Sequence, residues 1–227
     1  MNKLKMIENK YPGVLISFCG IDGSGKSTHL KYIAKMLCEM NIPYFIVKEP
    51  TATLRNNSIF RNYIDNDLNE DYSLLSVLSV NDRIRNNKNI IIPALKQGKV
   101  VLCDRYFYSC LAHNNINVFK NKDWIYDMSK KIIKPDISFF FDIPTNIAIQ
   151  RVRSRKNEKN RYINVAKQTN LNNELKKIAL NEKNIIVNTL LPKNKTIPMV
   201  MNVVYNYFNN RKGVVSFEPT DNSKATC

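Results

Sequence analysis

The stretch Gly20-Ile21-Asp22-Gly23-Ser24-Gly25-Lys26-Ser27-Thr28 constrains this chain more than any other, because it fits G-x-x-x-x-G-K-[ST] without a mismatch. Glycines at this spacing let successive backbone N–H groups turn inward and form a cup for phosphate oxygens at a helix N-terminus. Gly20, Asp22, Gly23, Ser24, Gly25, Lys26, Ser27 and Thr28 are therefore the candidate nucleotide-binding residues, with Lys26 reaching the terminal phosphates and Ser27 ligating Mg²⁺. The flanks suit the motif. Val14 to Phe18 reads as a buried strand entering the loop, and Leu30, Ile33, Ala34 and Leu37 recur at helical spacing after it.

At 227 residues and 44% hydrophobic, the chain can bury one substantial core, and we expect a single domain over 1–227 with its core at 14–210. Its longest apolar runs fall short of the ~20 residues that span a bilayer, and Met1 to Tyr11 is charged and polar, so a cytoplasmic protein without a membrane partner is expected. Five cysteines, without a C-x-x-C pair, argue against a disulfide framework and a zinc site. The formal charge of +16 exceeds what a nucleotide site needs. Nucleic acid is nevertheless not the expected partner, because no basic platform interleaved with aromatic residues accompanies the charge.

Along the chain, Pro43 to Val47 reads as a second buried strand, closed by Glu49-Pro50. In an open parallel sheet that strand end lies beside the phosphate loop, so Glu49 and Pro50 are placed to face a ligand; position alone leaves Glu49 equally readable as an exposed acid. Residues 54–70 are polar and give no clear pattern. Leu74, Leu75, Leu78 and Ile84 mark a helix over 73–86, in which spacing alone makes Arg83 a solvated helix-end cation. A separate helix is predicted over 90–96, ending at Gly98. Val100 to Cys103 forms the third buried strand and runs into Asp104-Arg105-Tyr106. An apolar run ending in aspartate is the usual companion of a phosphate loop, which makes Asp104 the metal-side carboxylate facing Ser27. Arg105 offers a planar fork for phosphate oxygens or a structural ion pair. A helix over 124–134 stops at Pro135, a fourth strand spans 137–141, and Thr145 is placed to cap the following helix. Arg151, Arg153, Arg155, Lys156, Lys159 and Arg161 then form a basic run, either a solvated face or a mobile lid over about 151–170. A fifth strand at 184–187 and a closing helix at 199–208 precede a polar tail, 212–227, expected to be disordered. The alternation predicts an α/β fold: a five-stranded parallel sheet with helices on both faces and a basic lid.

The order of motifs resembles the thymidylate kinases, the dTMP branch of the P-loop nucleoside monophosphate kinases. The matching pieces are Gly20 to Ser27, Glu49-Pro50, Asn81-Asp82-Arg83, Asp104-Arg105-Tyr106 with Ser109, Lys134-Pro135-Asp136, and Asp142-Ile143-Pro144 followed by Arg151. The resemblance implies phosphoryl transfer from ATP to dTMP in nucleotide biosynthesis, with ATP and Mg²⁺ held by Lys26 and Ser27. It also implies that Asp22 contacts the acceptor sugar or metal, Arg105 the acceptor phosphate and Arg83 the base, with Ser109 and His113 beside the acceptor, and that the protein is a homodimer. The family places a catalytic arginine in the loop or in the lid; with Gly23 at the loop position, Arg153 and Arg155 are the candidates. Several acceptor-side residues depart from the pattern: Cys19 for glutamate, Thr51-Ala52 for two glycines, Ser79 for a stacking phenylalanine and His113 for tyrosine. These departures predict looser selection of the base. A deoxynucleoside kinase or a monophosphate kinase for another base is one alternative, and a weakly active nucleotide- or nucleic-acid-binding protein a second.

Overall fold

A computed structural model describes residues 3–66, 71–117, 123–156, 158–159 and 163–211. Its framework is five strands: β1 (Val14–Cys19), β2 (Tyr44–Lys48), β3 (Val100–Asp104), β4 (Ile137–Asp142) and β5 (Ile185–Asn188). All pairings are parallel, in the order β2-β3-β1-β4-β5. The β1 residues Val14, Ile16 and Phe18 point into one apolar cluster and Leu15 and Cys19 into another, so the strand is buried on both faces. Helices α1 (Lys26–Glu39) and α10 (Lys193–Arg211) cover the first cluster. The second is covered by α4 (Tyr72–Asn86), α5 (Ile92–Lys96), α6 (Phe107–Ile116), α7 (Asp123–Met128), α8 (Thr145–Arg153) and α9 (Val165–Asn181). Two short helices, α2 (Ala52–Arg55) and α3 (Ser58–Asn66), fill the stretch that carried no sequence pattern.

Strand register aligns the functional segments. Asp104 lies opposite both Phe18 and Lys48, and the ladder runs on through Glu49 N to Asp104 O (3.0 Å) and Arg105 N to Phe18 O (2.9 Å). Gly20, Glu49 and Arg105 therefore leave the sheet along one edge, at the carboxyl ends of the strands, where open α/β sheets bind ligands.

Five expectations are corrected. β2 is an edge strand whose Phe45 and Ile46 are 44% and 47% exposed; an apolar run does not reveal which strand lies outermost. The helix expected at 90–96 is not separate, because a π-helical turn (Asn87–Ile91) joins α4 to α5. Pro93 lacks the N–H that a regular turn would use, and buried Asn87 occupies the widened turn: Nδ2 donates to Arg83 O (3.1 Å), while Oδ1 accepts from Tyr106 Oη and Ile133 N (both 3.0 Å). The helix expected to reach Lys134 ends in a 3₁₀ turn at Ser129–Lys131, because Ile132 and Lys134 bond to Ile7 of the N-terminal segment. Pro144, not Thr145, holds the cap position of α8, with no side-chain cap bond. α10 begins at Lys193, earlier than its apolar pattern indicates. The tail 212–227 and Arg161 lie outside the described residues.

Candidate active site

The phosphate loop owes its shape to positive φ at Gly20 (145°), Gly23 (82°) and Gly25 (92°). Gly23 is also pressed against α8: a Cβ there would sit 2.1 Å from Ala148 O. The N-terminus of α1 is tied down by buried His29. Its Nδ1 lies 2.9 Å from the Gly25 carbonyl and must donate to it, which leaves Nε2 to accept from Thr196 Oγ1 (2.9 Å) on α10. Burial lowers the His29 pKa, favouring that neutral ring. Lys26 is 6% exposed and donates to Ile21 O at 2.7 Å. Burial, aided by the nearby Arg105 charge, brings its pKa down to about 7, so a bound phosphate would supply the counter-charge it lacks. Ser24 Oγ is buried without a hydrogen-bond partner inside the loop.

Ser27 Oγ donates to Asp104 Oδ2 at 3.4 Å, which brings a hydroxyl of the first turn of α1 beside the carboxylate at the end of β3. Among the described residues there is no group of three or more His, Cys, Asp or Glu side chains arranged to hold a metal. One hydroxyl and one carboxylate suit a hard cation that takes its other oxygens from phosphate and water, which is the way Mg²⁺ binds.

Across the cleft lies a second set of cations. Arg105 adopts φ 69° and turns its fork back on the loop, donating from Nη1 to Gly20 O (3.1 Å) and from Nη2 to Asp22 Oδ1 (2.5 Å). Arg83, far from a solvated helix end, is 3% exposed. Its Nη1 donates to Ser79 O (3.2 Å) and to Asp82 Oδ2 (3.4 Å), and its Nε lies 3.6 Å from Glu49 Oε2. Asp82 is clamped by the Thr51 backbone N–H at 2.9 Å and by the Thr51 hydroxyl. Glu49 turns away from the cleft, fully buried behind Arg83, with Oε1 accepting from Asn86 Nδ2 (2.8 Å). Burial pushes its pKa up to about 7 even though Arg83 opposes the shift.

Donor-side and acceptor-side residues line one cleft of about 470 Å³. Asp22, Gly23, Gly25, Lys26, Ser27, Thr28, Pro50, Arg83, Asp104, Arg105, Ser109, His113 and Arg155 reach it, as the sequence reading expects; Gly20, Ser24, Glu49 and Arg153 do not. Arg153 is exposed on α8, whereas Arg155 faces the cleft and pairs with Glu158 (3.2 Å). Arg151 donates to Thr189 O (2.9 Å). His113 is held neutral: burial and the charges of Arg105, Lys167 and Arg83 bring its pKa to about 3.

The structure adds residues that sequence reasoning missed. Arg55, at the end of α2, lines the cleft and is anchored by Pro50 O (2.6 Å) and Glu49 O (3.3 Å). Its signal was a lone cation six residues after Glu49. Lys48, Lys167, Phe60 and Tyr72 also line the cleft. Seven cationic side chains thus face three carboxylates, an excess of four positive charges. Such a cleft attracts a polyanion.

A family model described as thymidylate kinase matches residues 18–198. The chain belongs to the thymidylate kinase family. It is 34% identical to a probable thymidylate kinase of Pyrococcus abyssi over 149 residues, covering 64% of this chain and 72% of the relative. Thymidylate kinases of Leptospira interrogans (31% over 173 residues, 76% and 84% coverage) and Fervidobacterium nodosum (32% over 149 residues, 64% and 75%) are similar.

Proposed function

We propose that this cleft transfers the terminal phosphoryl group of ATP to dTMP, giving dTDP. One observation carries the reading: the phosphate loop with its Ser27–Asp104 pair opens onto the same cleft as Arg55, Arg83 and Arg105. Two phosphorylated ligands can thus meet end to end. MgATP and dTMP together carry about four negative charges, counting the monoester as dianionic, which the excess of cations in the cleft balances. When bound between Ser27 and Asp104, Mg²⁺ would neutralise charge on the donor phosphates.

The chain's own groups do the positioning. Loop N–H groups and Lys26 hold the donor, and phosphate in place of Ile21 O as its partner favours the charged form of Lys26. Arg105 exchanges its single bond to Asp22 Oδ1 for the acceptor phosphate, so that the guanidinium keeps an anionic partner throughout. Arg55 lies beside it, with two of its donors already spent on Pro50 and Glu49. Arg83 reads the base edge, braced by Asp82 and Glu49. Arg155, on the lid segment, closes over the transferring group and excludes water.

Two further parts of the reading concern assembly and setting. The α4 face turned away from the cleft leaves Leu74 and Val77 39% and 53% exposed, which fits a homodimer through this helix; sedimentation equilibrium measures its mass. No helix among the described residues is long and apolar enough to cross a membrane, in keeping with a cytoplasmic enzyme. The deciding experiment is ADP release from ATP with each nucleoside and nucleoside monophosphate as acceptor. dTMP should give the highest kcat/KM; a preference for an unphosphorylated nucleoside or for another monophosphate would overturn the assignment.

A further inference from the structure

The cleft face of α4 follows helical spacing: Tyr72, Leu75, Ser76, Ser79 and Arg83 all reach the cleft. Between the Tyr72 ring and the Arg83 guanidinium this face carries Leu75 and two serines, with Ser79 one turn from Arg83, so beside Arg83 it offers no ring to a base. Phe60, from α3, lines the same cleft and is 7% exposed. It packs with Leu54 and Leu75 in a third apolar cluster, separate from the two that cover the sheet, with Tyr72 and Leu78 half-buried against it. Unfilled polar groups face the same space. Ser109 Oγ is buried with no hydrogen-bond partner, neutral His113 lies one turn further along α6, and Arg83 Nη2 makes no hydrogen bond to the described residues. An aromatic wall combined with unpaired donors and acceptors suits a nucleobase, which presents a flat π face and a rim of N–H and C=O groups.

We infer that Phe60 supplies the ring against which the acceptor base lies, so that base selection in this chain rests on α3 and not on residue 79 of α4. The inference builds on the assignment of this end of the cleft to the acceptor. Serines at 76 and 79 then leave room for the base, and a ring introduced at 79 would compete with it.

Steady-state kinetics of four proteins test this. Phe60→Leu keeps most of the apolar volume of the cluster and removes the π face; it should raise the dTMP KM about fivefold to tenfold, with kcat and the ATP KM little changed. Phe60→Tyr restores the ring and should recover most of that loss, which a purely structural role in the cluster does not require. Ser79→Phe should raise the dTMP KM. Thermal unfolding of each variant accompanies the kinetics, and the Leu-to-Tyr comparison remains decisive if Phe60→Leu is destabilised. A dTMP KM within twofold of the parent for Phe60→Leu, or a lowered KM for Ser79→Phe, would overturn the inference. If the parent prefers another monophosphate, the dTMP assignment fails, and the same comparison on that acceptor still decides the role of Phe60. Failure of the parent to turn over any monophosphate overturns both.

Discussion

Arg155→Ala tests whether the positive charge that stabilises the transferring phosphoryl group comes from the lid. The phosphate loop brings Lys26 but has no place for an arginine at Gly23, since a left-handed residue other than glycine there costs about 1–2 kcal/mol, and its Cβ would press on Ala148 O at 2.1 Å. Arg155 is available. Its pairing with Glu158 is an exposed i,i+3 contact of the kind worth about 0.3–0.5 kcal/mol, so releasing it costs little. A donor aimed at charge developing in a closed site is worth about 2.7–4 kcal/mol, or 10²–10³ in rate. The gain exceeds the cost several-fold, and Arg155→Ala should lower kcat about 10²–10³ while moving the dTMP KM little. The assay is coupled ADP release at saturating ATP and dTMP. Arg153→Ala is the control: it removes an exposed α8 cation outside the cleft and should keep kcat within about threefold of the parent. Adding Gly23→Arg to Arg155→Ala should not restore activity. The reasoning fails if Arg155→Ala retains a third of the parent kcat, if the two lid variants behave alike, or if the loop arginine rescues.

Lys26→Ala should lower kcat by about 10²–10³ without lowering the melting temperature, because burial already disfavours the Lys26 charge; activity above half the parent level would refute the loop assignment. Arg105→Ala should act mainly on the acceptor KM, since the phosphate it holds is present before reaction; a pure kcat effect would contradict that role. For His113 the folded pKa, about 3, lies below the ordinary 6.5, so the unfolded chain binds more protons between those values and stability falls as pH drops through that window. His113→Gln should therefore become more stable relative to the parent from pH 7 to pH 5, as read by thermal unfolding; a difference independent of pH would refute the burial of a neutral ring.

What could be read from the sequence was whatever local pattern and tertiary packing agree on. Val14 to Leu37 is an example: a buried strand, a glycine loop and an amphipathic helix each signal themselves, and each is needed by the next. Arg83 shows the limit. Spacing made it a solvated helix-end cation, and only the packing of α4 behind the end of β2 buries it between Asp82 and Glu49, residues with no local relation to one another. The strand end placed Glu49 to face a ligand, but its side chain turns away from the cleft to Asn86, contributed by a distant helix. Arg55 and Phe60 escaped because 54–70 has neither strand nor helix periodicity, and the fold of α2 and α3 against α4 gives them their meaning.

The two ends of the cleft are anchored differently, and that difference has a functional consequence. The donor end is held from several sides: Gly23 abuts α8, His29 ties α1 to α10, and β1 is buried on both faces. The wall to which Phe60 and Leu75 contribute belongs, with Leu54 behind it, to a cluster of three buried side chains outside both main cores. Opening free energy scales with buried apolar contact, so this wall can move while the phosphate loop stays put. Such an arrangement suits a reaction in which the donor phosphates need a fixed cradle throughout, whereas the acceptor must enter, be enclosed and leave as a diphosphate. Arg105 links the two ends, since its fork spans from the loop carbonyl of Gly20 to Asp22 until an acceptor phosphate competes for it. Acceptor binding would thus draw Arg105 away from the Asp22 carboxylate, coupling occupancy of one end to the electrostatics of the other.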